Sequence, residues 1–192
     1  MARTAADSFP KRAIAAFPSV DRLHAEDAVD TLSPFIDGTY HTYHQQSVEV
    51  VVRGAAVRVP SRLQFHALNV EHLESHPRFA AAALCLLTRS TDGYLRQAAL
   101  RQILGNSESW CIPYIIILAG EYVVEITEDL VESLIIFEHN QYVTFVREKK
   151  ILMRRLRSQA ASYWNCYYRE QYPDKSKYPG LVFLHRLEHW AG

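Results

Sequence analysis

The chain is expected to fold as a mainly α-helical protein built of antiparallel helical pairs, with one β-hairpin near residues 46 to 60. Three observations lead there. Apolar residues recur at spacings of three and four over most of the length, whereas the pattern over residues 48 to 53 is alternating. The composition, 48% hydrophobic against 22% charged, is that of an ordinary globular protein, and 192 residues are ample for a hydrophobic core. Composition also suggests the division: a loosely ordered N-terminal segment, residues 1 to 38, and a single helical domain, residues 39 to 192, roughly five to seven helices in all.

Residues 1 to 20 hold small residues, Pro10 and Pro18 and no sustained period, which suits a segment lying on the surface. Residues 21 to 32 make a short helix with Leu23, Ala28, Val29 and Leu32 inward, and it ends before Pro34 because the residue preceding proline avoids the α region. Between residues 40 and 65 the period changes to two. Val48, Val50 and Val52 share one face, and Glu49, Val51 and Arg53 the other; Gly54, Ala55 and Ala56 reverse the chain into a second strand that stops at Pro60. A lone hairpin is marginal in water and needs a cover. A homodimer across the exposed strand edge and the valines Val50, Val51 and Val52 is one candidate arrangement; the segment 1 to 38 folded over the same patch is the other.

Two short helical pieces follow, residues 68 to 73 and 78 to 88, separated at Pro77, the second with Phe79, Ala82, Ala83, Leu86 and Leu87 inward. Asp92 and Gly93 mark a turn before a helix over residues 94 to 104, with Leu95, Ala99 and Ile103 on one stripe and Gly105 and Asn106 as stop residues. The expected centrepiece is a long helix over residues 112 to 136, capped near Ser109, with Pro113 in its first turn. It is apolar all round at first, then carries Glu121, Glu125, Glu128, Asp129 and Glu132 along one side.

Asp92, Leu95, Arg96, Ala99 and Ile103 resemble the second helix of a HEAT repeat, whose pattern is Asp, a short gap, Val-Arg, two residues, Ala and a final aliphatic. Pro113 with Leu118 is similar to the first helix of a following repeat. The resemblance spans residues 78 to 136, and Glu125 stands where the family would have arginine. It implies a curved helical scaffold that binds another macromolecule. Any antiparallel helical pair with a small-residue interface accounts for the same residues equally well.

A further helix is expected over residues 142 to 168, its apolar stripe formed by Val143, Val146, Ile151, Leu152, Leu156, Ala160 and Tyr163. Its other side carries Arg147, Lys149, Lys150, Arg154, Arg155 and Arg157 against Glu148 alone. The simplest use of this block is to answer the acidic row, since a short connection over residues 138 to 141 makes the two helices antiparallel neighbours. Equal numbers of basic and acidic residues, 21 each, favour that internal pairing over nucleic-acid binding. Next come Tyr163, Trp164, Tyr167, Tyr168, Tyr172 and Tyr178, an aromatic cluster suited to a core, a protein interface or a stacking platform. Residues 180 to 190 dock back as a short helix or strand.

Signatures of chemistry are few. The sequence contains no glycine-rich phosphate loop, Gly-x-Ser-x-Gly elbow or Cys-x-x-Cys pair. His72 with His76 and His185 with His189 have helical spacing, but surface or capped histidines explain them more simply than metal ligands, and no metal or cofactor is expected. The acidic row lacks the Glu-x-x-His partner of a di-metal bundle. Cys85, Cys111 and Cys166 are odd in number and read as reduced, buried thiols; a nucleophile paired with a distant histidine has no local mark. Pro10, Lys11 and Arg12 interrupt any leader-like apolar run, and residues 112 to 119 fall well short of the ~20 needed to span a bilayer. The setting is therefore expected to be cytoplasmic, with no membrane partner. The resulting expectation is a non-enzymatic protein-protein interaction or scaffold protein. The alternative is a nucleic-acid binder using the basic helix and the tyrosines. For either, the candidate surface is Arg147, Lys150, Arg154, Arg155, Arg157, Trp164, Tyr167 and Tyr168.

Overall fold

Helical periodicity is realised throughout: the described residues form ten α-helices and one two-stranded antiparallel hairpin. The computed structural model describes residues 5–36, 47–75, 79–137 and 139–192. The chain divides into two compact units, Met1–Tyr114 and Ile115–Gly192, rather than at residue 38.

In the first unit, α1 (Ala5–Ile14) and α2 (Arg22–Leu32) pack on each other, and α2 packs on α4 (Ala81–Leu87). The N-terminal segment is thus part of the core rather than loosely attached: Phe9, Ala13, Ala16 and Phe17 are buried. The phenyl ring of Phe17 lies between Trp110 (5.3 Å, edge-on) and Tyr114 (5.6 Å, stacked), and the Tyr114 hydroxyl donates to the Ala16 carbonyl at 2.9 Å. Those aromatic contacts explain why a segment without a clear period folds in. On α2 the inward residues are Ala25, Ala28, Val29 and Leu32, whereas Leu23 is 76% exposed.

Strands β1 (Ser47–Val52) and β2 (Ala55–Pro60) pair Val48 with Val59 and Val50 with Val57, and Val50, Val52, Val57 and Val59 are buried. Only Val51 of the three valines 50 to 52 is exposed, so of the two covers expected for this patch, a second subunit or the chain itself, Val50 and Val52 have theirs within the chain. The Arg58 amide donates to the Ala15 carbonyl at 2.8 Å, which ties β2 to the segment after α1. The reversal is tighter than expected. Arg53 and Gly54 both have positive φ (50° and 77°), as a two-residue hairpin loop demands, and the second strand resumes at Ala55. Arg53 is held in this costly conformation by its side chain, which reaches Asp21 (3.2 Å), Glu108 (2.9 Å) and the Ser109 hydroxyl (2.9 Å).

The segment α3 (Val70–Ser75) packs on α5 (Gly93–Ile103), which also packs on α4. The turn expected at Asp92 also caps α5: the Asp92 carboxylate accepts from the amides of Tyr94 (2.8 Å) and Leu95 (3.4 Å). Leu95, Ala99 and Ile103 are inward. Arg96 is fully buried and donates to the carbonyls of Ser90 (2.9 Å) and Thr91 (3.1 Å). The break expected at Pro77 lies outside the described residues.

The centrepiece is not one helix. After a 3₁₀ turn at Ser109–Cys111 comes α6 (Ile112–Ile117), then a second 3₁₀ turn, Leu118–Gly120, an extended residue at Glu121 (φ −84°, ψ 158°), and only then α7 (Val124–Glu132). The break is closely packed within the second unit. Leu156 and Gln159 of α9 (Lys150–Tyr163) press so closely on Gly120 that a β-carbon there would lie 2.9 Å from the Gln159 amide oxygen and 3.1 Å from a Leu156 methyl.

The expected helix over residues 142 to 168 is likewise divided, into α8 (His139–Glu148) and α9, with a non-helical Lys149 between them (φ −108°, ψ 40°) and a π-helical turn, Trp164–Tyr168, at the end. The hub of the second unit is α10 (Pro179–Ala191), a full helix that packs on α7, α8 and α9 through Phe183, Leu184 and Leu187. It explains why α7 and α8 are not the paired neighbours that a short connection suggests; that connection includes residue 138, outside the described residues.

Candidate functional site

The break at Lys149 sets the geometry of the basic block. Val146 and Phe145 at the end of α8, and Leu152, Met153 and Leu156 on α9, are buried, so Arg147 and Lys150 are turned outward at the junction, whereas Lys149 is largely covered. Lys150 and Arg154 lie one turn apart on one face of α9, and Arg147 precedes them on the last turn of α8. These three cations line an open cleft of about 770 Å³ together with Val146, Met153, Glu188, Ala191 and Gly192. Arg147 is anchored there: its Nε donates to the Ala191 carbonyl at 2.7 Å.

The expected pairing with the acidic row does not occur. Among the described residues, no cation from Arg147 to Arg157 bridges to Glu121, Glu125, Glu128, Asp129 or Glu132. Arg157 instead pairs with Glu188 of α10, and Lys149 with Glu148. Lys150, Arg154 and Arg155 are exposed and, among the described residues, have no carboxylate partner. The physical reason is the position of α10, which packs on both α7 and α9 and supplies its own acid to the basic row.

The aromatic residues do something different from the cations. The Trp164 indole N–H donates to the Tyr172 carbonyl at 2.8 Å, and its ring is flanked by the Arg169 guanidinium and the Lys175 ammonium, each 5.5 Å from the centroid. The Tyr168 hydroxyl donates to the Tyr122 carbonyl at 2.5 Å, and its ring stacks on the buried Tyr178 at 5.5 Å. Tyr172 donates to the Glu128 carboxylate at 2.7 Å. Burial first, then that hydrogen bond and the carboxylate's charge, push its phenol up to about 12. Burial likewise raises Tyr168 and, further, Tyr178. These rings fasten the π-turn and the following loop to α7 and α10. Tyr167 alone among the three aromatic candidates presents most of its surface, 70%, to solvent.

Of the eight candidate residues, then, Arg147, Lys150 and Arg154 converge on the cleft, and Arg157 braces its wall through Glu188. Arg155 lies outside the cleft lining, and Trp164, Tyr167 and Tyr168 belong to the aromatic lock. Sequence reasoning missed Glu188, Ala191 and the apolar lining from Val146 and Met153. A signal existed: Pro179 at a helix start, followed by Phe183, Leu184 and Leu187 at helical spacing, marks an amphipathic helix with Glu188 at its margin.

The remaining candidates lie apart from the cleft lining. His72 approaches Asn69 through Nδ1 at 3.2 Å, while His76 lies outside the described residues. His185 and His189 are exposed, with ring centroids 6.5 Å apart. Among the described residues there is no group of three or more His, Cys, Asp or Glu placed to hold a metal ion, and no helix long and apolar enough to cross a membrane. Cys85 and Cys111 are buried as expected, but Cys166 is exposed, because the π-turn carries it on its outer side. Burial, then the neighbouring Cys111, holds the Cys85 thiol well above its usual range, the opposite of what a nucleophile needs. Comparison with protein-family models, curated proteins and solved structures finds no match to this chain.

Proposed function

We propose that this chain is a non-enzymatic interaction protein that receives an acidic, partly apolar segment of a partner protein in the cleft between α8, α9 and α10. The observation that carries the reading is the mixed lining: three cations, Arg147, Lys150 and Arg154, over a floor of Val146, Met153 and Ala191. Desolvated apolar surface beside fixed charge suits a peptide, whose side chains alternate in character. Nucleic acid asks for basic residues along a track and free aromatic faces for bases, and here Trp164 and Tyr168 are committed to internal contacts. The resemblance of residues 78 to 136 to HEAT repeats supports the same class, a helical scaffold for a macromolecular partner.

Fluorescence anisotropy with an acidic, leucine-containing peptide and with a single-stranded RNA of equal charge tests the choice. The peptide is expected to saturate the wild-type chain, and the Lys150→Glu/Arg154→Glu double variant is expected to lose it. RNA binding tighter than the peptide, and abolished by the same double variant, would overturn the reading in favour of nucleic acid.

A further inference from the structure

We infer that the cleft is a receptor for a phosphate monoester on the partner segment, with an apolar neighbour of that phosphorylated residue seated on Val146 and Met153. The inference rests on the reading that the cleft takes a protein segment, and it names the chemistry recognised there.

The charge balance of the lining is the first argument. Arg147, Lys150 and Arg154 contribute three positive charges; the one side-chain carboxylate in the lining, Glu188, is engaged by Arg157, and the α-carboxylate of Gly192 beside Arg147 offsets one charge at most. No other carboxylate among the described residues bridges to the three. A carboxylate ligand brings one negative charge, whereas a phosphate monoester at neutral pH brings about 1.5 to 2, with three acceptor oxygens for donors arriving from several directions. The dianion is the better match to three converging cations.

The donors are the second argument. Arg147 spends its Nε on the Ala191 carbonyl, which fixes the guanidinium plane, and among the described residues neither Nη group has a hydrogen-bond acceptor. Such a pre-oriented fork is suited to two oxygens of one tetrahedral anion, with Lys150 and Arg154 supplying point charge and further N–H groups from one turn of α9. Because α8 supplies Arg147, anchored on the α10 carbonyl, and α9 the other two cations, the phosphate would bridge α8 and α9. Size is the third argument. About 770 Å³ far exceeds a bare ion and accommodates a phosphorylated side chain with the residues beside it.

The test uses the full chain and isothermal titration with five probes: a peptide with a central phosphoserine flanked by leucines, its serine and glutamate counterparts, inorganic phosphate, and a single-stranded RNA oligonucleotide. The phosphopeptide is expected to bind at least about tenfold more tightly than the glutamate peptide, and its affinity should fall as pH drops through about 6, where the phosphate takes up its second proton. Lys150→Glu and Arg154→Glu should each lose that preference, whereas Arg155→Glu, outside the lining, should keep it. Equal affinity for phosphoserine and glutamate peptides, both lost in the two variants, would overturn the phosphate inference and leave the acidic-peptide reading standing. Inorganic phosphate binding as tightly as the phosphopeptide would overturn the docked segment. Peptides that do not bind, or that bind the Lys150→Glu and Arg154→Glu chains unchanged, would overturn both readings, as would RNA outcompeting every peptide.

Discussion

Replacing Gly180 by alanine is expected to loosen α10 from its seat. Gly180 lies in the first turn of that helix with ordinary negative φ, so conformational freedom is not why glycine is there. Space is: a β-carbon would lie 2.8 Å from the Ala119 carbonyl oxygen, 3.3 Å from the Tyr178 ring and 3.5 Å from the Ala160 methyl. The first contact is with backbone and has no rotamer to relieve it. Overpacking of this kind costs about 1–3 kcal/mol, and alanine's better helix propensity returns at most about 1 kcal/mol, less in a first turn. A net loss of about 1–2 kcal/mol follows, or roughly 2–8 °C in Tm for a chain of this length. Gly120→Ala is the comparison. Its β-carbon meets the Gln159 amide oxygen at 2.9 Å and a Leu156 methyl at 3.1 Å, both ends of flexible side chains that can move aside. Urea titration of the two variants should therefore place Gly180→Ala below Gly120→Ala in stability. The reverse order, or a Gly180→Ala chain as stable as wild type, would refute the argument that backbone proximity holds α10 in place.

Three further outcomes are expected. A thiol reagent should label Cys166 rapidly in the native protein, and Cys85 and Cys111 only after denaturation, because the first is exposed and the other two are buried; mass spectrometry of the labelled peptides checks it. Tyr172, with its folded-state phenol near 12 against about 10 when unfolded, contributes stability that is complete below about pH 10 and is lost as pH rises from there to 12. Tyr172→Phe should flatten that alkaline loss, and a phenolate absorbance titration of the two chains would show one late-titrating tyrosine fewer. Charge reversal at Arg154 and Arg155 should leave Tm within about 2 °C of wild type, since surface cations without partners contribute within roughly ±0.5 kcal/mol; a large drop would mean that they are paired after all.

Local signals were readable wherever the decisive interaction lies within a few residues. Helix α5 follows from the stripe Leu95, Ala99 and Ile103 after the turn at Asp92, and the hairpin from the alternation that sets Val48, Val50 and Val52 on one face. What could not be read comes from residues far apart in sequence. The break before α7 falls at Gly120, where Leu156 and Gln159 of α9 pack, and the inclusion of residues 9 to 17 in a core involves Trp110 and Tyr114. A period count sees neither. The apolar, proline-interrupted pattern over residues 112 to 136 is compatible with one long helix or two short ones, and tertiary packing makes the choice.

The basic block shows how a chain-wide charge total misleads about a surface. Neutrality, with 21 cations and 21 anions, suggests that every block has an internal answer, but the total constrains only the sum. Within Ile115–Gly192 the acids and bases are sorted by different neighbours: Glu128 accepts from the Tyr172 hydroxyl, and Arg157 takes Glu188 from α10. Once α10 occupies the place beside α9 where an acidic α7 was expected, it offers one carboxylate to a row of cations. Arg157 uses it, and Arg147, Lys150 and Arg154 remain around a cleft. An unbalanced cluster of this kind costs self-repulsion in the free protein, a cost that salt screens and an anionic ligand removes. The cleft should consequently be the part of the molecule whose stability responds most to added polyvalent anions. If Lys150→Glu/Arg154→Glu abolishes the gain in Tm that phosphate gives over chloride at equal ionic strength, the repulsion is located at this cleft; an undiminished gain in the double variant would place it elsewhere on the chain.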